Sequence, residues 1–265
     1  MPVFRSSDAH LFYEVTGDGP AIVLLHPFPL NHDFWAPVAE RLSTRYRLVM
    51  PDLRAHGDSE AGDGPATMDK LAADLVALCR EERLTKAVFV GVSIGGYLLF
   101  EFWRRYRGHV SALVLANTRA AAETLESRTA RLASADKVLH EGTAGFIAEL
   151  LPKLLSPVTL TNRPDIADAA RRMMQKMSPQ DIAAVQQGIA SRPDSIPTLK
   201  TIDVPTLILA GEDDSIARAE SELMRQKIRG SRLHVIARAG HYAALEQPEE
   251  FAGLLRGFFD NAQRP

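Results

Sequence analysis

Short apolar runs alternating with longer helical patterns occupy the first 117 residues, and that alternation leaves few architectures open. Ile22-Val23-Leu24-Leu25, Tyr46 to Met50, Ala87-Val88-Phe89-Val90 and Ala112-Leu113-Val114-Leu115 are too short for helices and are followed by turn or site residues, as buried strands are. Between them, Asp33 to Leu42, Met68 to Glu82 and Ile94 to Tyr106 carry apolar residues at helical spacing. Strands that alternate with helices pair in parallel, because the crossover helix carries the chain back to the starting edge and covers one face of the sheet. Val3 to Arg5 and Leu11 to Val15 alternate instead, and are expected to form an antiparallel edge hairpin.

Residues 119–192 break the rhythm. They are rich in Ala, Arg, Leu and Met, contain no convincing strand and are punctuated by Pro152, Pro157, Pro164 and Pro179, with Pro193 just beyond. Four or so short helices inserted into the sheet domain are expected. The strand pattern resumes with Thr206 to Ala210 and Leu233 to Ile236, and a last helix is expected from about Pro248 to Phe259, with the proline in the first turn. The reading is an α/β chain: a mostly parallel sheet of about eight strands, with a core domain of residues 1–118 and 193–265 and a helical cap of residues 119–192.

A chain of 265 residues, 46% hydrophobic and 24% charged, buries enough apolar surface to fold without external staples. Its net charge of −2 gives no reason to expect nucleic acid or an anionic membrane as partner. No apolar run reaches the roughly 20 residues that span a bilayer. Met1-Pro2-Val3-Phe4-Arg5-Ser6 does not read as a signal peptide, so the cytoplasm is the expected location. Cys79 is the only cysteine and sits on an apolar helical face, as a small core residue would. Neither H-E-x-x-H nor a metal-ligand spacing occurs, and no dinucleotide fingerprint is present, so no metal or cofactor is expected.

Gly91-Val92-Ser93-Ile94-Gly95-Gly96 directly follows the Ala87 to Val90 run and opens a helix. That context suits a nucleophile elbow, a tight strand-to-helix turn that lifts a serine hydroxyl above the sheet. Side chains at Gly91 and Gly95 would clash with neighbouring backbone in such a turn. A serine needs a base. Of eight histidines only His241, in Ala239-Gly240-His241-Tyr242, lies in a loop just past a late strand. The base in turn needs a carboxylate to hold its tautomer, and Gly211-Glu212-Asp213-Asp214 supplies two aspartates after the Thr206 to Ala210 strand.

These segments, with His26-Pro27-Phe28-Pro29, Pro51-Asp52-Leu53-Arg54-Ala55-His56-Gly57-Asp58-Ser59 and Glu246-Gln247-Pro248-Glu249, make the chain resemble the α/β-hydrolase superfamily over essentially its full length. It is most similar to the branch of 3-oxoadipate enol-lactonases and small carboxylesterases. The resemblance selects Asp214 over Asp213 as the acid. It also implies an oxyanion hole built from the amides of Ile94 and Phe28. Pro27 stands where the family has glycine, and since proline lacks only its own N–H, the Phe28 amide survives that change. His26 and His56 are expected to fix loops through local hydrogen bonds.

The activity implied is cleavage of a small carboxylic ester or lactone through an acyl-enzyme on Ser93. A perhydrolase, a carbon–carbon bond hydrolase or a slow hydrolase-fold receptor would use the same residues. Serine at residue 93 argues against a dehalogenase, whose nucleophile is aspartate, and Ile94 against a proline iminopeptidase, which usually has tryptophan there. Substrate-binding candidates are Arg119, Leu30, Phe146, Leu150 and Tyr242. Arg119 suits a substrate carboxylate or a salt bridge anchoring the insertion. Leu132, Ile147, Leu151 and Met173 are further apolar residues for a lid, and Arg128, Arg131, Arg171 and Arg172 face either water or an acidic substrate.

Overall fold

Eight strands, Val3–Ser6 (β1), Ala9–Thr16 (β2), Ala21–Leu25 (β3), Arg47–Pro51 (β4), Ala87–Val92 (β5), Val110–Ala116 (β6), Thr206–Gly211 (β7) and Arg232–Ile236 (β8), form one sheet in the order β1-β2-β4-β3-β5-β6-β7-β8. The structure is a computed structural model and describes residues 2–215 and 218–262. Strands β1 and β2 form the expected hairpin, β2 joins β4 antiparallel, and every later pairing is parallel.

The central strands are buried on both faces, and their side chains alternate between two cores. Val23, Leu25, Phe89, Leu113, Leu115 and Ile208 belong to one. Ile22, Leu24, Val88, Val90, Val92, Val114, Leu207 and Leu209 belong to the other. A two-residue period explains the split, and two buried faces explain why these strands read as continuous apolar runs rather than alternating ones.

Helices Ala36–Leu42 (α1), Met68–Glu81 (α2) and Ile94–Tyr106 (α3) lie between the early strands, with a 3-10 turn at His32–Trp35 ahead of α1. Helices α2 and α3 cover the first core, and α1 covers the second. Burial pushes the Cys79 thiol on α2 up to about 12, which removes it from nucleophilic chemistry.

Residues 119–192 hold five helices where four or so are expected: Leu125–Glu141 (α4), Thr143–Leu154 (α5), Pro157–Asn162 (α6), Pro164–Met174 (α7) and Pro179–Ala190 (α8). The first is not short. Thr124 caps it by accepting from the Ser127 amide, and Ser178 and Asp181 form a capping box on α8. The short Ile196–Leu199 (α9) leads into β7, Arg218–Lys227 (α10) follows it, and Ala243–Glu246 (α11) precedes the last helix, Pro248–Ala262 (α12). None of α9 to α11 is expected from sequence, and two of them have a single turn. Among the described residues no helix is long and apolar enough to cross a membrane.

Candidate active site

Ser93 ends the turn from β5 into α3 with φ 55° and ψ −113°. A residue with a Cβ avoids that region, at a cost of about 1–3 kcal/mol, unless its surroundings enforce it. Here they do. A Cβ at Gly91 would lie 2.5 Å from the Gly95 carbonyl, and one at Gly95 would lie 2.6 Å from the Leu25 oxygen. The Ser93 amide donates to the Ala116 carbonyl at 3.0 Å, and Thr118 Oγ1 donates to the Ser93 carbonyl at 2.7 Å. The elbow is thus bound to the end of β6, and Ser93 opens a helix whose first amides have no acceptor within it.

Asp214 leaves the turn after β7, and His241 leaves the loop after β8. His241 Nδ1 donates to Asp214 Oδ2 at 2.9 Å. Both are almost fully buried, whereas the neighbouring Asp213 is exposed. The Asn117 side-chain amide donates to the same Asp214 oxygen at 2.8 Å and to the Gly240 carbonyl at 3.2 Å.

The histidine loop is held from the insertion. His241 N–H donates to the Leu154 carbonyl at the end of α5, at 2.9 Å. The buried Glu246 carboxylate accepts from Gly240 N–H and from Ser156 N–H, each at 2.8 Å. One carboxylate therefore joins the loop carrying His241 to the segment that follows α5. The sequence displayed Glu246 in a motif without disclosing this role.

On the other side, the loop after β3 turns tightly, Leu30 N–H donating to the Pro27 carbonyl at 2.9 Å. His26 fixes it: Nδ1 donates to the Pro27 carbonyl at 3.0 Å and Nε2 accepts from Leu53 N–H at 2.9 Å. His56 Nδ1 donates to the Arg54 carbonyl at 2.9 Å. Burial holds His26 down to about 3 and His56 also below its ordinary value, so both imidazoles are neutral.

Phe28, Ser93, Tyr97, Arg119 and His241 line one cavity with Arg131, Leu150, Leu154, Gln186 and Ile189 of the inserted helices. Ser93, His241, Phe28, Arg119 and Leu150 are site candidates of the sequence, and Arg131 is one of the four arginines expected to face water or an acidic substrate; Tyr97, Leu154, Gln186 and Ile189 are not singled out by sequence. Tyr97 had a signal, lying four residues after Ser93 on the same face of α3. Phe146 stands behind the wall, its ring 6.0 Å from that of Phe28. Leu30 and Tyr242 do not reach the cavity. Leu30 packs in the second core, and the Tyr242 ring is fully buried with its hydroxyl donating to the Phe28 carbonyl at 3.4 Å. Leu30 lies two residues from Phe28 and Tyr242 next to His241, but both side chains pack into the second core instead of the cavity. Arg119 is half-buried and pairs with Glu123 at 2.6 Å. Arg128, Arg171 and Arg172 are exposed, and Leu132 is exposed as well.

The model of the alpha/beta hydrolase family matches residues 22–254. The chain belongs to that family. Among solved structures, this alpha/beta hydrolase superposes on an esterase from Thermogutta terrifontis, solved with malate bound, with a TM-score of 0.96 and 34% identity over 100% of both chains. It superposes on the enol-lactonase from Burkholderia xenovorans LB400 with a TM-score of 0.91 and 26% identity, over 98% of this chain and 100% of the other. Among curated proteins, 3-oxoadipate enol-lactonase 1 of Acinetobacter baylyi is 28% identical over 93% of this chain and 91% of its own length. The relatives of this alpha/beta hydrolase thus include an esterase and enol-lactonases.

Proposed function

We propose that this alpha/beta hydrolase cleaves a small carboxylic ester or lactone through an acyl-enzyme on Ser93. The observation that carries the reading is the Asp214–His241 hydrogen bond of 2.9 Å beside a serine on a strained elbow, with Ser93 and His241 on one cavity wall. With Nδ1 donating to Asp214, His241 presents Nε2 as the lone-pair base a serine requires.

Ser93 attacks the substrate carbonyl while its proton passes to His241. The amides of Ile94 and Phe28 receive the oxyanion, an arrangement in which one donor alone is worth about 2.7–4 kcal/mol. Collapse releases the alcohol, protonated by His241, and leaves the acyl group on Ser93. His241 then takes a proton from water as hydroxide adds to the acyl carbon; the bond to Ser93 Oγ breaks, Oγ recovers its proton from His241, and the acid leaves. Residues 119–192 act as a cap on a core of residues 1–118 and 193–265, supplying Leu150, Leu154 and Ile189 as the apolar wall for the substrate.

The test is steady-state hydrolysis of p-nitrophenyl acetate and butyrate by the wild type and by Ser93→Ala. The proposal requires turnover in the first and its near-complete loss in the second. Equal rates in both proteins would remove Ser93 from the reaction.

A further inference from the structure

Three guanidiniums converge on one carboxylate oxygen at the edge of the Ser93 cavity. Arg119 Nη2 lies 2.6 Å from Glu123 Oε1, Arg131 Nη2 3.4 Å and Arg192 Nη2 3.5 Å. The Glu123 side chain is 1% exposed, Arg192 2%, Arg131 23% and Arg119 24%, so the group is largely shielded from water. Ser127 Oγ donates to the other Glu123 oxygen. Burial works to raise the Glu123 carboxyl, yet Arg131, Ser127, Arg119 and Arg192 together hold it below its ordinary value, so it is ionised.

The charges do not balance. Three cations face one carboxylate, and their other partners are uncharged side chains: Arg131 Nη1 donates to Gln186 Oε1 at 2.6 Å, the Arg119 guanidinium interacts with the Tyr97 hydroxyl, and the Arg192 guanidinium lies over the Tyr97 ring at 4.2 Å. The Nε atoms of Arg119, Arg131 and Arg192 are buried and have no acceptor among the described residues. Surplus positive charge with unused N–H groups, sheltered from water, is costly unless an anion completes it. Arg119, Arg131, Gln186 and Tyr97 share the cavity wall with Ser93.

We propose that this cluster is a carboxylate subsite, and that the protein acts on a short ester or lactone bearing a free carboxylate, which Arg119 and Arg131 clamp while the ester carbonyl lies at Ser93. This rests on the function proposed above. Glu123 is then the built-in counter-ion that keeps the guanidiniums ordered and moderates their hold on the substrate, while Arg192 backs them from behind Tyr97. A guanidinium fork binds a carboxylate in two parallel hydrogen bonds, which fixes orientation as well as charge.

The experiment has two independent readouts. Hydrolysis of monomethyl glutarate, with its carboxylate on the acyl side, and of 4-acetoxybutanoate, with its carboxylate on the alcohol side, is compared with that of neutral dimethyl glutarate. At least one acidic ester is preferred in kcat/KM, and Arg131→Gln lowers that preference by about 10- to 100-fold, as loss of a hydrogen bond to a charged group does; Arg131→Lys retains part of it. Separately, calorimetry follows glutarate binding to Ser93→Ala protein. Binding is saturable, weakens with added salt, is lost in Ser93→Ala/Arg131→Gln and strengthens in Ser93→Ala/Glu123→Gln. Hydrolysis of neutral esters through Ser93 with no preference for either acidic ester and no glutarate binding would overturn this inference and leave the hydrolase reading standing. Glutarate binding that depends on Arg131, in a protein whose Ser93→Ala variant hydrolyses esters as fast as the wild type, would do the reverse.

Discussion

The Asn117 side-chain amide donates to Asp214 Oδ2 at 2.8 Å, the oxygen that also accepts from His241 Nδ1. Asn117 lies just past β6 with φ 46°, a backbone region that asparagine tolerates better than most residues. It therefore orients the proposed acid from a neighbouring strand. Asn117→Ala should lower kcat/KM by about 10- to 100-fold, as loss of a hydrogen bond to a charged group does, mainly through kcat, since Asn117 is not on the cavity wall. Steady-state kinetics on p-nitrophenyl butyrate checks this. A change confined to KM would show that Asn117 acts on binding instead.

Glu246 ties the histidine loop to the insertion through Gly240 and Ser156. Glu246→Ala leaves both buried amides without their acceptor, and each hydrogen bond to a charged group is worth about 1.5–3 kcal/mol. Urea unfolding should show a loss of about 2–4 kcal/mol, accompanied by a fall in kcat as His241 loses its fixed position. Full stability with full activity would mean that the link is dispensable.

The strands and the elbow were legible because their signals are local: apolar runs of strand length, and glycines where a Cβ has no room. Ser93 and His241 are marked by their places just past strand ends, whereas the same position fits Asp213 and Asp214 equally, and only the resemblance to the family separates those two. The guanidinium cluster was only half legible. Arg119 and Arg131 stood out as arginines, but nothing near residue 123 announces that Glu123, Arg131 and Arg192, 69 residues apart at the extremes, meet at one oxygen. Leu30 and Tyr242 show the converse: adjacency to a functional loop says nothing about which way a side chain points. The four-residue helices α9 and α11 have no readable period because tertiary packing, not propensity, sustains helices of a single turn.

Acid should unfold this protein through its buried histidines. Burial holds His26 at about 3 against an ordinary value of 6.5. The unfolded chain thus binds a proton that the native state refuses, so this stability is fully present above about pH 6.5 and is lost as pH falls toward 3. His56 is shifted in the same direction. His32 runs the other way: burial opposes its charge, but Asp52, Asp33 and Glu14 hold it above its ordinary value, so it adds stability at low pH. Between pH 7 and 5 His26 alone costs about 2 kcal/mol. Urea unfolding at the two pH values should show a difference smaller by about that amount in His26→Gln; identical differences in the two proteins would contradict the assignment.

Leu150 lines the cavity from α5, whereas Phe146 stands behind it. Leu150→Ala enlarges the acyl space, so kcat/KM for p-nitrophenyl octanoate should rise severalfold relative to that for the acetate. Phe146→Ala should shift this ratio less. If Leu150→Ala scaled both esters by one factor, the inserted helices would not be shaping the pocket.

The central claim is that Ser93 carries the acyl group. Intact-mass and peptide mass spectrometry after treatment with diethyl p-nitrophenyl phosphate tests it most directly, because that reagent phosphorylates a serine only where a base has activated it. The account predicts one diethylphosphoryl group per chain, located on Ser93, appearing in step with loss of esterase activity and absent from Ser93→Ala and His241→Ala. Loss of activity with Ser93 unmodified, or equal labelling in His241→Ala, would contradict it.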